Sequence, residues 1–340
     1  MNILIANNNM EVGGIQKSLV NLLKEISKEH KVTLFLFSPT GELMSDVPDN
    51  VNVIQGNFCT RILGINQGQA KHIGFATFLW RSIWASITKT FGIRFAFYIL
   101  TRLQKIHGEY DVAISYMQNS AYRYFYGGAN EFVLNSIKAK EKIAFFHCDF
   151  EKYYGNNKYN ISLYERFDKL AAVSDGCKNA FLRICPQYKG KTYTVHNMYD
   201  FSGIKDSSLE LDVRTEKTPF IFTSARISEE KGILRMFPIF SKIKRDGYDF
   251  IWYIAGDGPD AIKAKDEAQK NNVDDNVVFL GMLKNPYPYF KACDFLLVPS
   301  YNEAAPMVFG EALSLNTPVF TTDTISASEL VGNINGGWIV

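Results

Sequence analysis

The chain has 340 residues, of which 46% are hydrophobic and 21% are charged, and its formal net charge is +2. This length and composition are typical of a soluble globular protein with two domains, and they exclude a chain dominated by disorder. A net charge near zero gives no general indication of nucleic-acid or membrane binding. The five cysteines are scattered and form no Cys-x-x-Cys pair, so neither a disulfide framework nor a zinc site is indicated, and a reducing cytosol is the expected compartment.

The first predicted elements are a strand over residues 1–6, a helix over residues 15–28 and a strand over residues 32–37. This succession predicts a parallel, Rossmann-like sheet. Gly13 and Gly14 precede the helix, where they let the backbone turn and a ligand approach, although the Gly-x-Gly-x-x-Gly pattern of dinucleotide binding is missing. The first strand has no basic segment before it and polar residues directly after it, which favours a buried strand over a signal peptide.

Residues 50–108 contain no acidic residue, while residues 61–105 interleave cations with aromatic side chains. Such a stretch suits peripheral contact with an anionic membrane surface. A spanning helix is not predicted, because no uncharged apolar run approaches the roughly 20 residues that a bilayer requires. The alternative is that the aromatic residues form core and the cations lie on the solvated faces of the same helices. No recognised nucleic-acid-binding motif accompanies the stretch, and no nucleic-acid partner is expected.

Further buried strands are predicted over residues 111–116, 142–147, 170–174 and 192–197. The second of these ends in His147-Cys148-Asp149. The carboxyl ends of parallel strands face the crevice in which open α/β sheets bind ligands, so His147 and Asp149 are expected near a substrate.

The polar segment 200–218 lacks periodicity, which predicts a linker between a domain over residues 1–199 and a domain over residues 219–340. The second domain again alternates strands (220–224, 250–255, 277–280 and 295–298) with helices (231–245 and 260–270). Arg226 and Lys231 flank the loop into its first helix, where a planar guanidinium and a compact ammonium together can neutralise a pyrophosphate. Asp274 and Asp275 lie in a polar connector and are interpreted as a turn, so no metal site is predicted.

The stretch 299–329 follows an apolar strand, and Pro306 suits the first position of a helix. Glu303 then lies in the loop before that helix and Glu311 lies inside the helix. A helix N-terminus after a strand can bind phosphate through its free N–H groups and its dipole. The two carboxylates more plausibly accept hydrogen bonds from hydroxyl groups, as on a sugar and a ribose. Together these features predict a nucleotide sugar as the ligand.

The spacing Glu303-x7-Glu311, with Pro306 inside it and residues 318–323 behind it, resembles the C-terminal signature of the family 4 glycosyltransferases, which are retaining enzymes of the GT-B fold. The segment from Arg226 to Gly232 and residues 254–259, 278–281, 292–294 and 299–300 follow the family in the same order. The resemblance covers almost the whole chain. It implies two Rossmann-like domains with a donor and acceptor cleft between them. Family members usually continue through helices that return to the first domain, so a trimmed chain or a missing brace is expected.

The resemblance also implies roles for individual residues. His147 and Glu303 are the expected catalytic residues, with His147 contacting the donor sugar or the acceptor and Glu303 binding the transferred sugar. The other implied site residues are Gly14, Arg226, Lys231, Met307 and Val308 for the donor phosphates, Glu311 for the ribose, Met282 and Leu283 for the nucleobase, and Gly13 and Asp149 on the acceptor side. No metal and no cofactor are expected.

The implied activity is transfer of a hexose or N-acetylhexosamine, with retention and without a metal, from a nucleotide-diphosphate sugar. UDP is the expected nucleotide, because uridine is the commoner base in families of this kind. The expected acceptor is a hydroxyl of a lipid-linked or cell-envelope glycan, at the cytoplasmic face of a membrane. Two alternatives stay open, namely another GT-B enzyme such as a nucleotide-sugar epimerase, and a catalytically silent subunit that binds a sugar nucleotide.

Overall fold

The structure, a computed structural model, describes residues 1–153, 155–213 and 219–340. These residues form two compact units, Met1–Met198 and Tyr199–Val340.

The first unit is built on a parallel sheet whose strands lie in the order β3-β2-β1-β4-β5-β6-β7. The strands are β1 (Asn2–Asn7), β2 (Lys31–Leu36), β3 (Asn52–Gln55), β4 (Tyr110–Ser115), β5 (Ala139–Phe146), β6 (Lys169–Ala172) and β7 (Thr192–Thr194). The helices are α1 (Gly14–Ile26), α2 (Gln67–Ile73), α3 (Phe75–Phe91), α4 (Ile93–Arg102), α5 (Ala129–Ser136), α6 (Lys158–Glu165) and α7 (Asp175–Ile184). The order reverses between β1 and β4, which is the switch point where such sheets bind ligands.

The second unit contains another parallel sheet, in the order β10-β9-β8-β11-β12-β13. Its strands are β8 (Phe220–Ser224), β9 (Ile251–Ala255), β10 (Val277–Gly281), β11 (Phe295–Val298), β12 (Val319–Thr321) and β13 (Gly337–Ile339). Its helices are α8 (Phe201–Ser207), α9 (Met236–Arg245), α10 (Ala261–Lys270), α11 (Tyr287–Ala292) and α12 (Met307–Ser314). Here the order reverses between β8 and β11.

The core of the second unit includes one polar link that is fully satisfied. Trp252 in β9 is completely buried, and its Nε1 donates to Thr223 Oγ1 in β8 at 2.9 Å. Thr223 Oγ1 in turn donates to the carbonyl of Leu297 in β11 at 2.8 Å. Because buried polar groups are costly when unpaired, this link favours one alignment of the three central strands.

Two predicted helix starts differ from the structure. The helix predicted over residues 231–245 begins only at Met236, because Gly232 adopts φ +65 and breaks the preceding residues into two short 3-10 turns. Pro306 is the N-cap of α12, with an extended backbone (ψ 128), and Met307 is its first helical residue.

The stretch predicted as a linker is in part a helix. Asp200 caps α8, since its Oδ1 accepts from the Gly203 N–H at 2.9 Å, and α8 packs against α11 and α12. Ile204 is the buried residue of α8, which leaves too little periodicity for a prediction from sequence. Residues 214–218 of the predicted linker lie outside the described residues.

The basic, aromatic stretch forms α2, α3 and α4. Trp84 and Phe97 are buried, as the core alternative expects, whereas Phe75 and Phe91 are 79% and 65% exposed. Arg81 is also buried and donates to the carbonyls of Ile65 and Phe125, and burial lowers the pKa of its guanidinium. Within the described ranges, no helix has the length and apolar character needed to cross a bilayer.

We predict that Gly256→Ala destabilises the second unit by about 2–4 kcal/mol. Gly256 has φ +139, and an added Cβ would lie 1.9 Å from the Ala225 carbonyl oxygen. Gly247→Ala is the matched control, because Gly247 has φ +90 but no atom lies within 4 Å of the added Cβ. This variant should lose only about 1 kcal/mol of stability, which is the cost of the backbone strain alone. Urea unfolding of both variants measures the difference. Equal losses of unfolding free energy in the two variants would show that the contact of the added Cβ with the Ala225 carbonyl costs nothing.

Candidate functional site

Two loops of the second unit meet at its switch point. The first follows β8 and contains Arg226 and Lys231, and the second follows β11 and contains Glu303. They are joined at the backbone, where the Tyr301 N–H donates to the Glu230 carbonyl at 2.9 Å. The contact is so close that a Cβ at Gly232 would lie 2.0 Å from the Pro299 oxygen. The position therefore requires glycine for space as well as for its positive φ.

The Glu303 carboxylate is held between the two loops. Its Oε1 accepts from Lys231 Nζ at 2.6 Å and from Ser300 Oγ at 2.7 Å, and Glu303 is 8% exposed. Its Oε2 makes no hydrogen bond to any residue that the structure describes. One oxygen is thus fixed by the protein, and the other is open to accept a hydrogen bond from a ligand. Arg226, in the first loop, is exposed.

Pro306, the N-cap residue of α12, makes no side-chain cap hydrogen bond, and the first turn of the helix contains no acidic residue. Met307 and Val308 are its first two residues, and Met307 buries its side chain. Since N–H groups of a first turn have no intrahelical partner, this helix start is suited to an anion.

Glu311 lies one turn into α12 and is 3% exposed. The Tyr287 hydroxyl lies 3.5 Å from its Oε1. The Tyr199 ring packs directly on the helix, because a Cβ at Gly310 would lie 2.5 Å from Tyr199 Cζ. Burial and the nearby Glu311 raise the pKa of the Tyr199 hydroxyl. Glycine at position 310 thus makes room for the ring beside the Glu311 carboxylate.

Met282 and Leu283, the predicted base-binding residues, directly follow β10. Met282 is 58% exposed, whereas Leu283 packs against the apolar cluster that contains Phe290 and Leu296. The two side chains therefore differ in exposure, and the Met282 side chain is the one that a flat ligand can reach. Asp274 and Asp275 form a 3-10 turn before β10, as predicted.

In the first unit, Gly13 is the N-cap of α1 and Gly14 its first residue. Gly13 is extended (φ −176), so no unusual backbone angle requires glycine, and an added Cβ would meet the movable Gln16 side chain at 2.8 Å. As a glycine, Gly13 has no side chain with which to cap the helix.

His147 follows β5 and is partly buried. Its ring packs between Tyr116 and Phe145, at centroid distances of 4.9 and 6.0 Å, and its backbone N–H donates to Gln118 Oε1 at 3.0 Å. Burial lowers the pKa of the imidazole to about 4, so the ring is neutral at pH 7. Its Nε2 is buried and has no hydrogen-bond partner among the described residues. Such an orphaned atom indicates a place for a ligand hydroxyl.

Asp149 is 1% exposed. Its Oδ1 accepts from the Glu151 N–H at 3.1 Å, and Lys152 Nζ lies 4.0 Å from its Oδ2. The first bond closes a local turn. No group of three His, Cys, Asp or Glu side chains within residues 1–153, 155–213 and 219–340 could hold a metal ion.

Lys231, Glu303 and the start of α12 thus lie at one edge of the second sheet, and His147 and Asp149 lie at the carboxyl end of β5 in the first. Sequence reasoning missed Ser300, Tyr199 and Tyr287. Ser300 could have been found, since it lies three residues before Glu303, a spacing at which Ser and Glu side chains commonly meet. Tyr199 and Tyr287 gave no such signal, because only packing brings their rings to α12.

Sequence comparison shows that part of the chain is similar to known glycosyltransferases. Residues 210–340 match the family model described as glycosyl transferases group 1. The uncharacterized glycosyltransferase MJ1059 of Methanocaldococcus jannaschii is 34% identical over 140 residues, which are 40% of this chain and 34% of that protein. The alpha-monoglucosyldiacylglycerol synthase of Streptococcus pneumoniae is 33% identical over 106 residues, or 31% of this chain and 24% of that protein. The matches thus span about a third and a quarter of these relatives.

The fold comparison covers the whole chain. The crystal structure of Anabaena Alr3699/HepE in complex with UDP-glucose superposes with a TM-score of 0.68 at 18% identity, covering 100% of this chain and 85% of that one. This chain therefore has the two parallel-sheet α/β domains of GT-B glycosyltransferase structures, and the predicted fold class is confirmed.

We predict that the His147 imidazole titrates near pH 4 in the folded protein, against 6.5 for an unperturbed histidine. The unfolded chain takes up this proton below pH 6.5, whereas the folded protein takes it up only near pH 4. The free energy of unfolding should therefore fall as the pH is lowered from 6.5 towards 4, and His147→Gln should flatten that fall. An imidazole NMR titration and urea unfolding between pH 4 and 7 measure both effects. A midpoint near 6.5 would contradict the buried, neutral ring.

We predict that Lys231→Met destabilises the second unit by about 2 kcal/mol, because it leaves a largely buried Glu303 carboxylate with Ser300 as its remaining partner. Combining Lys231→Met with Glu303→Gln removes the unpaired charge and should recover most of that loss. Denaturant unfolding of the wild type, both single variants and the double variant gives the interaction free energy of the two side chains by a double-mutant cycle. If the double variant were as unstable as Lys231→Met, the loss of stability would not come from an unpaired Glu303 charge, and the ion pair would not be what holds the loops together.

Proposed function

We propose that this chain is a retaining glycosyltransferase. It transfers a hexose or N-acetylhexosamine from a nucleotide-diphosphate sugar, with UDP as the nucleotide, to a hydroxyl of a lipid-linked or cell-envelope glycan. The observation that carries the proposal is the placement of two buried carboxylates, Glu303 and Glu311, before and within a helix whose start is uncapped. Carboxylates suit the hydroxyl groups of such a donor, and the helix start suits its phosphates.

The diphosphate is bound by three sources of positive potential. The N–H groups of Met307 and Val308 point from the start of α12, Arg226 supplies an exposed guanidinium, and Lys231 keeps two N–H donors beyond the one used by Glu303. Gly14, at the start of α1, is assigned to the same phosphates by the family resemblance. Donors that are in place before the reaction stabilise the charge of the leaving group as it develops.

The sugar and the nucleoside take the remaining positions. Glu303 Oε2 accepts from a hydroxyl of the transferred sugar, while Oε1 stays bound to Lys231 and Ser300. Glu311 accepts from the ribose hydroxyls, and Met282 with Leu283 lies against the base. On the acceptor side, Gly13 and Asp149 border the incoming hydroxyl, and the neutral His147 offers its Nε2 to the sugar or acceptor without adding a charge.

The transfer breaks the bond between the anomeric carbon and the phosphate oxygen and forms one to the acceptor oxygen on the same face. The acceptor proton passes to an oxygen of the leaving diphosphate, so no protein base is assigned to it. No metal or cofactor takes part in the proposed step. The site of action is the cytoplasm, at the inner face of the membrane that carries the acceptor.

The S. pneumoniae relative is named for a glycosylated diacylglycerol, and the Anabaena structure holds UDP-glucose. The first name supports an acceptor of lipid character here, and the second supports a UDP-sugar donor.

The proposal predicts that UDP and one UDP-sugar stabilise the protein against heat, by about 2.7 kcal/mol at a hundred times the dissociation constant. Arg226→Ala and Glu311→Leu should abolish the stabilisation, because they remove a phosphate contact and the ribose contact. Arg245→Ala, which removes an exposed arginine from α9, should leave it unchanged. Differential scanning calorimetry with a panel of nucleoside diphosphates measures this. Stabilisation that survives both substitutions would contradict the assigned donor site.

Turnover separates the remaining possibilities. Mass spectrometry of the donor with and without a lipid-linked glycan should show UDP released in the presence of acceptor and only slow hydrolysis in its absence. Conversion of the donor to an isomer without any acceptor would identify an epimerase. Donor binding with no conversion across a panel of acceptors would favour a silent sugar-nucleotide-binding subunit.

A further inference from the structure

The exposed face of α3 carries a row of apolar side chains. Phe75, Leu79, Ile83, Ile87 and Phe91 recur every four residues, about one helical turn. Phe75, Leu79, Ile83 and Phe91 are 79%, 48%, 44% and 65% exposed. We call these five residues the α3 row. A helix that packs only into its own domain turns its apolar residues inwards, so an exposed row of this length indicates a surface that is covered by something else.

A cavity of about 360 Å³ lies between α4 and α6, at the far end of this surface. Arg94, Tyr98 and Arg102 line it from α4, and Arg166, directly after α6, lines it from the other side. The remaining lining residues are Asn135, Tyr159, Ser162 and Leu163. Of the described residues that line this cavity, none is acidic. We call Arg94, Arg102 and Arg166 the arginine cluster.

Two members of the arginine cluster contact aromatic and amide groups. Arg102 stacks on the Tyr98 ring at 3.8 Å and donates to its hydroxyl, and Arg166 Nη2 donates to Asn135 Oδ1 at 3.0 Å. No ion pair joins any of the three to an acidic residue in the described part of the chain. Like charges around one cavity repel, and an anion between them offsets that cost. The planar fork of arginine matches a phosphate group in particular.

One acidic residue lies behind the cavity wall. The Tyr159 hydroxyl donates to Glu131 Oε1 at 2.9 Å, and Asn119 Nδ2 donates to both of its oxygens. Glu131 is 1% exposed, and burial raises the pKa of its carboxyl. Its oxygens accept from Tyr159 and Asn119, and the charge of Arg166 offsets part of the effect of burial on its pKa, although no ion pair joins Glu131 to Arg166 in the described part of the chain.

The two features are continuous. Phe91 ends the α3 row and lies 6.2 Å, between ring centroids, from Phe95 on α4, which is 50% exposed and adjoins Arg94 in the chain. Tyr98, also exposed, lines the cavity itself. Apolar and aromatic side chains therefore lead directly to the cavity lined by the arginine cluster.

We propose that this surface binds a membrane, with the α3 row lying on the bilayer and the arginine cluster holding the phosphate of an anionic phospholipid. A lipid surface is the occupant that matches both parts, because it presents phosphates beside an apolar interior. The absence of any acidic residue from 50 to 108 fits the same anionic surface. This inference rests on the membrane location in the proposed function and adds the surface and the lipid group that it binds. Its test needs no sugar donor, so it can fail while the proposed transfer reaction stands.

Co-sedimentation with vesicles tests the proposal. The full chain should bind vesicles of phosphatidylcholine with 30% phosphatidylglycerol at least tenfold more tightly than vesicles of pure phosphatidylcholine, because cations near an anionic surface each add to the affinity. Combining Arg94→Gln with Arg166→Gln should reduce binding to the anionic vesicles about tenfold or more. Combining Lys242→Gln with Arg245→Gln removes two exposed cations from α9 and should change binding less than twofold.

The apolar part is tested by combining Phe75→Ser with Leu79→Ser, which should weaken binding to both kinds of vesicle. Circular dichroism and thermal unfolding of each variant confirm that it is folded. Equal effects of the two double charge substitutions would overturn the proposal, because net charge alone would then account for binding. Protection against heat by inorganic phosphate that requires Arg94 and Arg166, without vesicle binding, would also overturn it, by showing a soluble anion as the occupant.

Discussion

The second unit depends on the contact between the loops that follow β8 and β11. Gly232 lies under the Pro299 carbonyl where no Cβ fits, and Lys231 binds Glu303 Oε1 at 2.6 Å. A largely buried carboxylate is costly without a partner, so this pair favours one arrangement of both loops. The same contact sets the direction of Glu303, with Oε1 held and Oε2 open. The positions of Glu303 and of the start of α12 are therefore set together.

Cations in this chain have three different roles, and their partners decide which. Arg81 is buried and donates to two backbone carbonyls, so it acts as a structural brace. Lys231 pairs with one carboxylate beside a helix start. The arginine cluster has aromatic and amide partners and forms no ion pair with an acidic residue among the described residues. In sequence, Arg81, Arg94 and Arg102 belong to one basic and aromatic stretch, and only burial separates them.

Most strands were predicted, because buried parallel strands are short apolar runs. The strands β3 and β12 were missed, and β5 begins before its predicted start while β7 ends before its predicted end. The start of α9 and the helix α8 were not predicted correctly. Gly232 takes a left-handed backbone that only its contact with Pro299 explains, and α8 has a single buried apolar residue. The assigned roles of Gly13, Gly14, His147 and Asp149 in the first unit, and of the nucleotide-binding residues in the second, remain predictions that the proposed ligand experiments test.

The sequence by itself determined the fold class and the order of the site segments, because alternating apolar runs, glycines and the spacing of Glu303 and Glu311 are local properties of the chain. Only the tertiary structure decided that Ser300 and Lys231 share one oxygen of Glu303, that Tyr199 packs on Gly310, and that Arg166 joins Arg94 and Arg102 around one cavity. These contacts join residues that packing brings together, and some of them, such as Tyr199 and Gly310, are far apart in the chain. Apart from the short spacing of Ser300 and Glu303, periodicity and motif spacing carry no information on such contacts, because they describe neighbours along the chain and not neighbours in space.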